Sequence, residues 1–166
     1  MALIGHKTMK GYGAYMEMIT SFQVDHTCLN PGMYISRTDG DIVTYDLRFV
    51  RPNTPPFLEN AAIHTIEHLF ATYVRNSRFR NGIIYFGPMG CRTGFYFITR
   101  GISHHDAIKL TQDALDFIAN YSDEIPGTGE AECGNYREHD LEGACHHAAH
   151  QLSIIRSWDV SLLAYK

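Results

Sequence analysis

Nowhere do the 166 residues approach the roughly 18 uninterrupted apolar positions that a membrane-spanning helix needs, so no membrane partner is expected. A basic excess is missing too. Fourteen Lys and Arg stand against eighteen Asp and Glu, for a formal net charge of −4, which argues against a surface built to bind nucleic acid. The first twenty residues lack a continuous apolar core followed by a small-residue cleavage site, so they do not read as a secretory leader and the cytoplasm is the expected compartment. Repeats, low-complexity runs and obvious linkers are also lacking. Charged residues are only 19% of the chain and apolar ones 45%, which excludes disorder, collagen and coiled coil and permits a real core. The length fits one domain.

What the chain does have is ten histidines and four cysteines (Cys28, Cys91, Cys133 and Cys145). In a reducing compartment those thiols are expected to be free, metal-bound or reactive rather than paired. Cys28 and Cys145 read as structural.

Residues 1–18 mix Gly, Lys and Met without periodicity and read as an extension or mobile arm ahead of one domain over 19–166. Residues 19–24 look like a strand, and a second strand over 33–37 follows the Asn30-Pro31-Gly32 turn. Over 42–51, Val43, Tyr45, Leu47 and Phe49 alternate with Thr44, Asp46 and Arg48, the pattern of a half-buried strand with a polar second face. Proline-rich 52–56 breaks the chain before a helix over about 58–76, whose apolar stripe is Ala62, Ile63, Ile66, Leu69, Phe70 and Tyr73. A strand pair over 83–86 and 95–99 flanks a glycine-rich turn. Ser103 and Asp106 form a capping box opening a helix to about residue 121, and Asp140 can cap a last helix to about 155. The order predicts an α+β fold: a two-layer sandwich of an antiparallel sheet with helices packed on one face.

The sharpest chemical signal is His64-Thr65-Ile66-Glu67-His68, an H-x-x-E-H pattern inside the second-layer helix. Residues four apart share a helical face, so both imidazoles can reach one metal ion, with Glu67 close enough to move protons there. That face lies opposite the core stripe, so a loop or a second subunit must cover it. A third ligand is wanted, and Cys133, among polar neighbours before the last helix, can complete a His₂Cys set with one open position. Cys91 sits in the turn 87–94, where glycines permit close approach of a ligand and Arg92 stands beside the thiol, so it reads as an acid/base residue or an ordinary loop cysteine. Arg48 is either a surface charge or an anchor for substrate or thiolate. His146, His147 and His150 lack a companion carboxylate and read as a solvated face, while His104 and His105 only begin a helix. Two rival readings remain at this point: an H-x-x-E-H metallopeptidase, and a structural protein with a closed metal site.

Several of these stretches, in order, resemble the S-ribosylhomocysteine lyase (LuxS) family: 21–26 (SFQVDH), 44–49 (TYDLRF) with Pro52-Asn53, 64–69 (HTIEHL), 87–96 (GPMGCRTGFY) and 133–144 (CGNYREHDLEGA). The resemblance runs from about residue 19 to 156. It implies a homodimer with active sites at the subunit interface and His64, His68 and Cys133 as ligands of one divalent ion per subunit. That ion is Fe²⁺ first, with Zn²⁺ or Co²⁺ able to replace it, and water completes the set. Glu67 and Cys91 become the acid/base pair, Arg48 orients cysteine and substrate, and Ser21 and His26 lie near the ribose from across the interface. Tyr85 and Phe86 stand where many relatives carry Asp-Ile at the homocysteine end. The implied reaction converts S-ribosylhomocysteine to homocysteine and 4,5-dihydroxy-2,3-pentanedione, the autoinducer-2 precursor.

Overall fold

The computed structural model describes residues 8–11, 14–17 and 19–165, with backbone alone for the first two segments and for residues 20 and 21. Strands β1 (Thr8–Gly11) and β2 (Ala14–Glu17) pair antiparallel, and α1 (Thr20–Gln23) follows. Then come β3 (Gly32–Asp39), β4 (Ile42–Arg48), α2 (Asn60–Arg75), β5 (Ile83–Pro88), β6 (Gly94–Arg100), α3 (His104–Ala119) and α4 (Leu141–Ile155). The β1–β2 pair lies inside the stretch expected to be an extension; the rest of 1–18 is outside the described residues.

β3 to β6 form one antiparallel sheet in the order β3-β4-β6-β5, so the chain is α+β. Register places Tyr45 of β4 opposite Phe97 of β6 and Leu47 opposite Phe95, and these side chains are buried on one face. Against that face pack α2, α3 and α4. On α2 the buried apolar set is Ala62, Ile63, Ile66, Leu69, Phe70 and Val74, joined by Thr65, with Tyr73 half-buried against Phe117. Each fully buried Leu, Ile or Phe here contributes roughly 1.5–3 kcal/mol, which fixes the rotation of α2 and thereby aims its other face. α3 opens on Ser103, whose Oγ accepts from the Asp106 amide at 3.1 Å, and α4 opens on Asp140, which accepts from the Gly143 amide at 2.9 Å.

Two expectations need correction. Residues 20–23 are a helical turn, not a strand. Six residues with little alternation do not distinguish the two. Beside the edge strand β3, Leu163 C=O accepts from the Ile35 amide at 2.7 Å and Met33 C=O accepts from the Trp158 indole at 2.8 Å. The second face of β4 is polar but not solvated: Asp46 and Arg48 are each 2% exposed. A small cluster of Val24, Leu29 and Tyr34, extended by Trp158 and Tyr165, covers that side of the sheet.

Candidate active site

Because the core stripe turns α2, His64 and His68 face away from the sheet toward the loop that precedes α4. That loop, from the same chain, supplies the cover expected over the metal face. His64 Nδ1 donates to Glu138 C=O at 2.9 Å and His68 Nδ1 donates to Pro126 C=O at 2.8 Å. A carbonyl can only accept, so both Nδ1 atoms carry hydrogen and both Nε2 atoms present lone pairs. Cys133 Sγ lies 3.4 Å from His64 Nε2 and 3.9 Å from His68 Nε2. A tetrahedral ion with ordinary nitrogen and sulfur bonds sets such atoms about 3.6 Å apart. The two imidazole planes stand at 85°, so a single point can lie in both. The three residues fit a divalent ion.

A fourth group was not legible in the sequence. His139 joins His64, His68 and Cys133 in a set whose donor atoms all lie within 4.8 Å of one another. Thr65 Oγ1 donates to Ala61 C=O at 3.0 Å, so toward His139 Nδ1, 3.2 Å away, it accepts. That leaves His139 Nε2 a lone pair that is buried without a partner. Burial first, then the neighbouring His64 and His68, pushes the His139 imidazole below its ordinary pKa. Its ring, however, stacks on His64 with centroids 4.1 Å apart and planes at 23°. A coordinated ion sits about 3.2 Å from a ring centroid. Two planes so nearly parallel do not meet at that range, and His139 is a neighbour of the ion's place, not a fourth ligand beside His64.

An open cleft of about 510 Å³ runs from this group; its lining includes Glu67, Arg75, Tyr85 and Phe86. Tyr85 is exposed there, whereas Phe86 is 3% exposed and stacks on Phe70 and Phe95 in the core.

Cys91 lies elsewhere. It lines a second cleft, about 470 Å³, with Phe22, His26, Arg48, Asn53 and Tyr96. Its Sγ is 3.0 Å from Thr93 Oγ1, and Arg48 donates to that same oxygen. Arg48 Nη2 also donates to Asp46 Oδ2 at 2.6 Å. Burial works against the guanidinium's charge, but Asp46, and less strongly Cys91, outweigh it, so its pKa ends above the usual value. The arginine reaching the thiol's neighbourhood through Thr93 is therefore Arg48; Arg92 is exposed on a backbone with φ of 57°. Arg48 stands opposite Gly32 and Gly94 in the sheet, and a Cβ at 94 would stand 2.2 Å from Leu47 C=O, so the close approach of β6 to β4 there requires glycine. His26 donates from Nδ1 to Val24 C=O at 2.8 Å. The side chain of Ser21 is outside the described residues. Among the described residues the two clefts share no lining residue.

The other signals found structural places. His104 Nδ1 meets the buried Tyr45 hydroxyl at 2.7 Å, and His147 pairs with Glu59 at 2.8 Å. All four cysteines are free thiols.

The profile of the S-ribosylhomocysteinase (LuxS) family matches residues 19–161. The S-ribosylhomocysteine lyase of Borreliella burgdorferi is 46% identical over 156 residues, covering 90% of this chain and 99% of the relative. The enzyme of that name from Finegoldia magna is 43% identical over 155 residues, with the same shares of 90% and 99%. That of Clostridium acetobutylicum is 46% identical over 132 residues, 76% of this chain and 84% of the relative. Agreement of this extent, over the residues that build both clefts, makes the chain a member of the S-ribosylhomocysteinase (LuxS) family.

Proposed function

We propose that the protein is an S-ribosylhomocysteine lyase, releasing homocysteine and the autoinducer-2 precursor 4,5-dihydroxy-2,3-pentanedione. The observation that carries the reading is the His64, His68 and Cys133 group, its imidazole lone pairs aimed by the carbonyls of residues 138 and 126. A divalent ion held there, Fe²⁺ by resemblance with Zn²⁺ or Co²⁺ able to replace it, supplies a Lewis acid for the sugar's carbonyl oxygen.

The chain's own residues then have defined tasks. A thioether leaves poorly from an unactivated sugar carbon, so the carbonyl must first migrate along the ribose by proton transfers between carbon and oxygen. Glu67, one residue before His68 and three after His64, takes and returns those protons on the metal side. Cys91 does so from the opposite side, with Arg48 held on Thr93 beside its sulfur. Once the carbonyl stands beside the carbon next to the C–S bond, loss of a proton there expels homocysteine as its thiolate, which then takes up a proton. His26 and Ser21 are assigned to the ribose and the exposed Tyr85 to the homocysteine end, while Phe86, expected there too, is held in the core.

In one copy Cys91 and the metal group line different clefts. We therefore assign the active form as a homodimer, with the Cys91 cleft of one copy closing over the metal cleft of the other. Four free thiols favour the cytoplasm; no helix among the described residues is long and apolar enough to cross a membrane. The single domain is assigned to 19–166, with 1–18 as an extension.

The closed-site rival is disfavoured by the stacking of His139 on His64, and the peptidase rival has no use for Cys91. Protein loaded anaerobically with Fe²⁺ is mixed with S-ribosylhomocysteine and, separately, with peptides. Release of one thiol per substrate consumed, without peptide cleavage, is expected; metal-loaded protein that releases no thiol refutes the assignment.

A further inference from the structure

Beyond residue 161, where the family profile stops matching, the chain runs back along the sheet to the Cys91 side. Tyr165 stacks on Tyr34 with centroids 5.1 Å apart and planes at 23°. Its hydroxyl donates to Asp46 Oδ2 at 2.9 Å, the oxygen that also accepts from Arg48 Nη2 at 2.6 Å. Tyr34, Asp46 and Tyr96 are direct cross-strand neighbours, so Tyr165 lies over one continuous row of the sheet. The contacts therefore form a line: Tyr165 to Asp46, Asp46 to Arg48, Arg48 to Thr93, Thr93 to Cys91.

We propose that Tyr165 is a positioning residue for Cys91, holding the Asp46 carboxylate so that the Arg48 guanidinium stays on Thr93 beside the thiol. The inference rests on the assignment of Cys91 as an acid/base residue, and it gives the segment after α4 a part in the site.

The physical argument turns on one shared oxygen. Two donors on Oδ2 fix the carboxylate's rotation and spread its charge. Without the tyrosine hydroxyl, Arg48 loses the donor that shares this oxygen with it, and the guanidinium is drawn toward Asp46. Thr93 Oγ1 then loses part of its charged donor, and its own proton is a poorer partner for the sulfur. Burial first, then Asp46, pushes the Tyr165 phenol well above its ordinary pKa, so it remains a donor wherever the enzyme works. Trp158 and Leu163, bonded to β3, hold the segment in place independently of that hydroxyl.

The test is alkylation of the metal-loaded protein by iodoacetamide at neutral pH, with Cys91 followed by mass spectrometry against exposed Cys28 in the same molecules. Tyr165→Phe keeps the ring stack and removes only the hydroxyl. We expect Cys91 alkylation at least about threefold slower relative to Cys28, the scale of one modest hydrogen bond, with metal content unchanged. A merely loosened segment would leave the thiol as reactive or more so, and an unchanged or faster rate overturns the proposal. Thr93→Val cuts the line nearer the sulfur, so in that background Tyr165→Phe should add nothing; additive slowing also overturns it. Turnover by Cys91→Ala is scored separately. If it persists, the acid/base assignment falls while the alkylation result stands.

Discussion

Placing Cys91 and the metal group in separate clefts leads to a quantitative complementation. Take two inactive variants, Cys91→Ala and Cys133→Ala, and co-refold them in equal amounts so that copies pair at random. Homodimers of either variant have no complete site. A mixed dimer has two sites of different quality: in one both halves are damaged, while in the other an intact Cys91 from the Cys133→Ala copy faces intact ligands from the Cys91→Ala copy. Random pairing makes about half the dimers mixed, each with one working site of two, so thiol release should recover to about a quarter of the wild-type rate. If both groups served the same site from one copy, every mixed dimer would carry one defect in each site, and activity would stay at background. Thiol release is measured before and after mixing, with sizing to confirm dimers. Background activity from a mixture that contains mixed dimers would refute the shared-site reasoning, whatever the fate of the individual residues.

Three further outcomes are expected. Glu67→Gln should lower turnover by at least about a hundredfold with metal content and fold retained; near-normal turnover removes Glu67 from the acid/base pair. Gly127→Ala puts a side chain at φ of 73°, with its Cβ 3.4 Å from His68 Nδ1, so the Pro126 carbonyl that orients His68 shifts. Metal affinity by competition with a chelator should fall about tenfold, the usual effect of disturbing a ligand's supporting hydrogen bond, and unchanged affinity contradicts the role given to that carbonyl. Burial pushes the Tyr45 phenol up to about 12. An unfolded tyrosine ionises near pH 10, earlier than the folded one, so the stability it supplies is whole below about pH 10 and is lost as pH rises toward 12. Urea unfolding across that range should show an alkaline decline that Tyr45→Phe makes shallower.

Much of this architecture is legible in the sequence. The stripe from Ala62 to Tyr73, the Ser103 cap, and the glycine turn between β5 and β6 each rest on local periodicity or local hydrogen bonding, which a linear reading captures. The H-x-x-E-H face was legible for the same reason, since spacing of four on a helix is geometry. Cys133 was reached by the need for a third ligand. The strand expected over 19–24 is a helical turn, which so short a stretch with little alternation does not reveal. Other features depend on where distant segments return. Asp46 and Arg48 alternate as a solvated face would, and the cluster of Val24, Leu29 and Tyr34, extended by Trp158 and Tyr165, covers them. His139 stood unremarked because its approach to His64 follows from the path of the loop, and the separation of Cys91 from the metal group needed the sheet register.

The carbonyls of residues 126 and 138 and the sulfur of Cys133 meet the two histidines of α2 at three fixed stations along one loop. Between 126 and 133, the side chains of Glu130, Ala131 and Glu132 are exposed. The stretch is consequently constrained in length, while the identities of Glu130 and Ala131 are free. Exchanges at Glu130 or Ala131 should pass unnoticed, whereas adding or removing a single residue would bring the wrong backbone oxygen to an imidazole and disarm it with every ligand still present.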